Sequence, residues 1–188
     1  MMKVRLFIAL PISDEIQKQC EVLQEIGRQM SAPVRWVAPR QIHLTLFFLG
    51  STDTALQSMI EAEMREAAHQ SAPFSVEVTG LGVFPHLSAP KVIWVGLSSE
   101  PMLLTLQKNI SMRMAKIGFP PEERPYRPHL TLGRVKGVPS DTFSRWITEG
   151  RALRIGQCAM KVVSLVESCR SSEGSVYISR FSSPLGGA

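Results

Sequence analysis

Residues 42–50, IHLTLFFLG, and residues 128–135, PHLTLGRV, share one tetrapeptide, His-Leu-Thr-Leu, which occurs once in each half of the chain. Successive side chains of an extended strand point to opposite faces. Each copy therefore sets a histidine and a threonine on one side and two leucines on the other. In the first, Gln41, His43, Thr45 and Phe47 are expected to share a face, with Ile42, Leu44, Leu46 and Phe48 on the other. In the second, Arg127, His129 and Thr131 oppose Leu130 and Leu132. The leucine faces read as core, so the His/Thr faces look at water or into a cleft. A lone histidine on an apolar strand is ordinarily a hydrogen-bonded core residue. Two in matching contexts, 86 positions apart, point instead to the two halves of one site.

Working outward from these strands, hydrophobic periodicity divides the chain into short elements. Residues 3–10 alternate as a first strand, with Val4, Leu6, Ile8 and Leu10 inward and Arg5, Phe7 and Ala9 opposite. Ser13 is a helix N-cap, and Asp14 and Glu15 suit the first turn of a helix carrying Ile16, Cys20, Leu23, Ile26 and Met30. A short strand is expected over 34–37, and helices over 54–69, 101–117 and 140–148. Further strands are expected over 74–78 and 91–97, joined by a Gly/Pro-bearing link, GLGVFPHLSAP. The chain closes with runs at 158–168 and 175–181, separated by Ser-Ser-Glu-Gly, a hairpin signal, and a frayed PLGGA. Strands and helices mix without strict βαβ alternation. The fold class is therefore α+β with mainly antiparallel sheets, one domain over residues 1–188 whose duplicated lobes bring the two motifs face to face across a cleft.

Composition narrows the function less. Hydrophobic residues make up 44% and charged residues 20%, as in ordinary globular proteins. A net charge of +5 suits an anionic ligand such as a nucleotide or RNA. No run of about 18 apolar residues predicts a membrane-spanning helix. The opening MMKVRLFIALPISDEI places basic residues before an apolar stretch, but Pro11, Asp14 and Glu15 follow without a small-residue cleavage site. It reads as a strand. Cys20, Cys158 and Cys169 show no C-x-x-C spacing, which fits a reducing cytoplasm; Cys20 is expected in the core, and Cys169 is the one candidate reactive thiol.

Two imidazoles and two hydroxyls suit phosphoryl chemistry. With an unperturbed pKa of about 6.5, one histidine can accept a proton at neutral pH while the other donates one. Set on opposite sides of a phosphorus atom, they serve an in-line displacement, with His43 and His129 as acid and base in either order. Thr45 and Thr131 can donate to the non-bridging oxygens, and Arg127 can add positive charge. Phe7 and Phe47, expected on the non-core face, can stack on a nucleobase. Metal catalysis lacks a ligand pattern: there is no H-x-x-x-H, H-E-x-x-H or C-x-x-C. A nucleophile elbow, a P-loop and a dinucleotide fingerprint are also missing. His69 ends a helix, and His86 lies in the FPHLSAP loop. Nothing nominates a protein partner, and a monomer is expected.

Two H-x-T-x motifs half a chain apart resemble the signature of the 2H phosphoesterases, and more narrowly the bacterial and archaeal RNA 2′,3′-cyclic phosphodiesterases, also called 2′-5′ RNA ligases. RLFIALPIS, VRWVAPRQIHLTLFFLG, GVFPHLSAPKVIWVGL, YRPHLTLGRV and GSVYISRF carry the likeness along nearly the whole chain. The resemblance implies a bilobal α+β fold with a central cleft, and hydrolysis without metal or ATP. It implies that His43 protonates the departing 3′ oxygen, that His129 activates water, and that Thr45 and Thr131 hold the phosphate. The product would be a 2′-phosphate, and reverse joining to a 5′-hydroxyl would be possible. Two rivals keep the residues and change the role: a phosphodiesterase for a small cyclic nucleotide or a cyclic ADP-ribose phosphate, and a non-catalytic RNA-binding module.

Overall fold

Leu44 on strand β3 (His43–Asp53) and Leu130 on strand β6 (His129–Val135) are direct antiparallel partners, and the sheet is organised about that single pairing. In the computed structural model, which describes residues 2–30, 32–171 and 174–186, β3 continues through β1 (Lys3–Pro11) to β8 (Val162–Ser171) and β9 (Gly174–Pro184). On the other side β6 continues through β5 (Val92–Leu97) and β4 (Phe74–Phe84) to β7 (Arg154–Met160). Four strands flank the midline on each side, and every pairing is antiparallel. Where β3 and β6 part company, the short β2 (Val34–Trp36) fills the opening by pairing with β6 alone. The α+β class and the duplicated halves expected from the repeat are both present.

Four helices lie on the core side, and two of them cross between halves. Helix α1 (Asp14–Arg28) follows β1 but packs on β6 and β7 of the other half. Helix α3 (Pro101–Lys116) leads from β5 to β6 and reaches back to β3. Helix α2 (Gln57–His69) covers β8 and β9, and α4 (Asp141–Glu149) covers β4. The cap predicted at Ser13 is present, its hydroxyl accepting from the Ile16 N–H, and the Ser140 hydroxyl likewise caps α4 by accepting from the Phe143 N–H. One continuous apolar core, including Leu6, Ile8, Leu10, Leu44, Leu130 and Leu132, lies between helices and sheet. Full burial of each such side chain is worth about 1.5–3 kcal/mol. The two motif leucine pairs thus anchor the site's floor.

Several expectations need correction. Residues 80–84 are strand rather than link, because Gly80 (φ +75°) forms a bulge between the Thr79↔Gly96 and Leu81↔Val95 pairs and the ladder resumes beyond it. The run at 158–168 is two strands meeting at Lys161. Residues 54–56 form a separate 3-10 turn before α2, capped when the Asp53 carboxylate accepts from the Ala55 N–H. Of the hairpin signal, Ser172 and Glu173 lie outside the described residues, while β8 and β9 do pair antiparallel. The PLGGA end is not frayed through Gly186. Leu185 is buried and donates to the Lys161 carbonyl at 2.8 Å, and Gly186 donates to Ala68 at 3.0 Å; Gly187 and Ala188 lie outside the described residues. No helix among the described residues is long and apolar enough to cross a membrane.

Candidate active site

The Leu44↔Leu130 pairing sets the two triplets antiparallel at the midline, with His43 and Thr45 flanking one leucine and His129 and Thr131 the other. All four polar side chains then share the sheet face away from the core, and each is only partly buried. The predicted quartet is one cluster, close enough that the charge on His129 bears on His43.

Both imidazoles are held in the same way. Nδ1 of His43 lies 2.7 Å from the Gln41 carbonyl, and Nδ1 of His129 lies 2.7 Å from the Arg127 carbonyl. A carbonyl can only accept, so Nδ1 carries the hydrogen in each ring and Nε2 is left for chemistry. Nε2 of His43 is 3.1 Å from the Thr45 hydroxyl. Burial is the main force lowering both histidines' pKa values, opposed by the carbonyl bonds. The further contributor is His129 at His43, and the Arg134 guanidinium at His129. Both rings are thus biased toward the neutral form chiefly by burial, and at His129 the Arg134 cation adds a charge that no protonation event can remove.

Two bulges at matched positions complete the site. On β3, Ile8 pairs with Phe47 and Ala9 with Thr45, so Leu46 is the extra residue. On β6, Ile93 pairs with Gly133 and Trp94 with Thr131, so Leu132 is the extra residue. Each bulge lies three residues past its histidine and reverses the alternation beyond it. This overturns the placement of Phe47, which is core at 6% exposure, while Phe48 takes the open face at 63%. On β6 the same reversal brings Arg134 to the face of His129 and Thr131. Simple period-two counting missed both residues because a bulge leaves no mark in the alternation.

Aromatic walls flank the quartet. Phe7 is on the expected face and stacks on the His43 ring, with centroids 4.7 Å apart and planes at 23°. It is buried because Tyr177 and Phe48 close over it. Tyr177 also meets His43 edge-on at 5.2 Å. Across the midline Phe84 meets His129 edge-on at 5.0 Å, and Trp94 lies 6.4 Å from it. Gly82 lets the Trp94 indole lie flat on the sheet, since a Cβ there would come within 2.2 Å of the ring. Tyr177 arrives from the far end of the chain, and GSVYISRF was its only sequence signal. Its strand is tied to the first motif where Gln41 Nε2 donates to the Ser175 carbonyl at 2.7 Å. The Tyr126 hydroxyl donates to the Thr45 carbonyl at 3.0 Å, linking the second motif's approach to the first motif.

Arg127 enters the site through its carbonyl; its side chain is exposed, and among the described residues it has no ion pair. His86 bonds Ser88 in its loop. Cys20 is buried in the core, with its thiol pushed up to about 12 by burial, and Cys169 donates to Glu167. Among the described residues no group of three or more His, Cys, Asp or Glu side chains could hold a metal ion. Two neutral-biased imidazoles on one face, beside two hydroxyls and a guanidinium, can move protons on and off a bound anion.

The chain is similar to known proteins in sequence and in fold. Residues 12–148 match the model of the 2′-5′ RNA ligase superfamily. The chain is 33% identical to a protein of Methanothermobacter thermautotrophicus named RNA 2′,3′-cyclic phosphodiesterase, over 94% of this chain and 96% of that one. It is 30% identical to an Aquifex aeolicus protein of the same name, over 93% of each. The crystal structure of TT0787 of Thermus thermophilus superposes with a TM-score of 0.85 at 25% identity, covering 97% of this chain and 98% of that one. In sequence and in fold, the chain belongs to the 2′-5′ RNA ligase superfamily.

Proposed function

We propose that this protein hydrolyses RNA 2′,3′-cyclic phosphate ends to 2′-phosphomonoesters by acid–base catalysis between His129 and His43. The observation that carries the reading is the Leu44↔Leu130 pairing, which sets two His/Thr pairs on one face with both Nδ1 atoms committed to carbonyls. The relatives' shared name supplies the substrate class.

His129 is the base and His43 the acid, as the family resemblance implies, and the Arg134 charge adds to burial in favouring a neutral His129 ring. Its Nε2 takes a proton from water as the water oxygen bonds to phosphorus. The bond from phosphorus to the 3′ oxygen breaks on the opposite side, and His43 Nε2 delivers a proton to that oxygen. The products are a 2′-phosphate and a 3′-hydroxyl. Thr45, Thr131 and Arg134 hold the non-bridging oxygens as their charge builds. Phe7, stacked on His43 and buried, holds the acid's ring in place, and the exposed Phe48 beside it offers an apolar edge to the terminal nucleoside. No step calls on a metal ion. With a 5′-hydroxyl in place of water, the same displacement, the same base and the same acid join two RNA ends through a 2′-5′ linkage. The chain acts as a monomer, and its free cysteines support a reducing, cytoplasmic setting.

The test is an oligoribonucleotide ending in a 2′,3′-cyclic phosphate, incubated with the protein and excess chelator, with end-group analysis of the product. A 2′-phosphate is expected. A 3′-phosphate, or turnover only after added metal, would overturn the proposal.

A further inference from the structure

Past the Leu44↔Leu130 pair β3 and β6 diverge, so the bulge residues Leu46 and Leu132 have no ladder partner in the opposite motif strand. Buried backbone groups released in this way need other partners. On β6 the Leu132 carbonyl accepts twice, from the Val37 N–H at 2.9 Å and from the Gln24 side chain at 2.9 Å. Gln24 lies on α1, is 0% exposed, and its Nε2 also donates to the Val37 carbonyl at 2.7 Å. Carbonyls only accept, so the amide nitrogen faces both of them and its oxygen faces away. That oxygen is buried and has no hydrogen-bond partner among the described residues. The other half repeats the arrangement more loosely: Gln107 of α3 donates to the Leu46 carbonyl at 3.4 Å. Each bulge is thus met by a glutamine from the helix that crosses over to it. A buried amide with its oxygen unmet is a destabilising way to fill a core position that an apolar side chain could occupy. Departures of that kind collect at functional sites. What the Gln24 bond fixes is the backbone between Thr131 and Arg134, the stretch whose bulge turns Arg134 to the His129 face.

We propose that Gln24 is a positioning residue, whose bond to the Leu132 carbonyl holds the β6 bulge and through it keeps the Arg134 guanidinium on the face of His129 and Thr131. The inference rests on the acid–base reading above. Gln24 sits on the core side of the sheet, so its effect on the reaction passes through the bulge. The charged and titratable groups that bear on His129 are Arg134 on its own strand and His43 across the midline. From β4 and β5 it meets the uncharged rings of Phe84 and Trp94. The Arg134 charge disfavours protonation of His129, so a relaxed bulge makes that ring easier to protonate.

The experiment follows the His129 imidazole by NMR titration of the free protein, alongside kcat on an oligoribonucleotide ending in a 2′,3′-cyclic phosphate. It uses wild type, Gln24→Met, Gln24→Asn, Arg134→Gln and the Gln24→Met/Arg134→Gln double variant. Methionine keeps the volume without the donor, and asparagine keeps the amide but withdraws it by one methylene, so the result does not hang on one variant. Both Gln24 variants are expected to raise the His129 pKa, in the direction of Arg134→Gln, and to lower kcat about 10- to 100-fold per folded molecule. In the Arg134→Gln background Gln24→Met should move the titration no further. A merely structural role gives a different pattern: a lower melting temperature with titration and kcat unmoved. That pattern, a shift that persists in the Arg134→Gln background, or failure of both Gln24 variants to fold would overturn the inference. The titration needs no turnover, so a wild type inert toward the oligonucleotide would remove the acid–base reading while the NMR arm still decides what Gln24 holds.

Discussion

Each imidazole proposed as acid or base is oriented by a backbone carbonyl two residues upstream, so Gln41 and Arg127 act through atoms that any residue carries. The consequence is chemical: Nδ1 keeps its hydrogen and only Nε2 titrates within the working range. Burial lowers both pKa values, so the kcat/KM profile should be a bell whose limbs both fall below the ordinary imidazole region near about 6.5. The apparent values belong to the coupled pair. The sign at His129 is testable. Arg134→Gln removes a cation that disfavours protonation, so the base becomes easier to protonate and the acid limb should move to higher pH, alongside a fall in kcat. A pH–rate series on wild type and variant reads this directly; an unmoved acid limb would show that Arg134 does not act on the base. The quartet was legible from residue types alone. Arg134 was not, because its place depends on a bulge one turn of the ladder earlier.

At the scale of the element, the paired bulges at Leu46 and Leu132 decide what faces substrate. They make neighbouring phenylalanines behave as opposites. Phe47→Ala should cost about 3–5 kcal/mol of stability, as for other large-to-small changes in a packed core, seen as a lower urea midpoint. Phe48→Ala should change stability by less than about 0.5 kcal/mol and raise KM, since its ring is largely exposed against Phe7 on the open face. The reverse pattern would mean that the alternation runs unbroken through β3. Elements whose signals are local were readable: Ser13 caps the helix that its position announces. Strand β4 was read short, because a glycine bulge in sequence looks like a turn and only the partner strand distinguishes them.

Across the whole molecule, the two halves meet along the sheet at one residue pair, and the site straddles that junction. The Tyr126 hydroxyl bonded to the Thr45 carbonyl is a second tie between them. Burial raises the Tyr126 pKa, so the phenol remains a donor throughout the working pH range. Tyr126→Phe should cost about 1 kcal/mol in thermal unfolding and lower kcat, with KM less affected, because it loosens one motif relative to the other. A loss confined to stability would assign the bond to the fold alone. The duplication made the bilobal plan readable from the repeated tetrapeptide. The crossing of α1 and α3 to the opposite halves was not readable, since periodicity reports which face a helix buries and says nothing of which sheet it meets.

The division of labour between the two rings is the centre of the account, and a substrate whose 3′ bridging oxygen is replaced by sulfur tests it most directly. A thiolate departs without a proton, so such a substrate has no use for a general acid. On the oxygen substrate His43→Ala and His129→Ala should each lose about 10²–10⁴ in kcat. On the sulfur substrate His43→Ala should recover to within about tenfold of wild type while His129→Ala stays inactive. Rescue of His129→Ala instead, or equal behaviour of the two variants, would contradict the assignment.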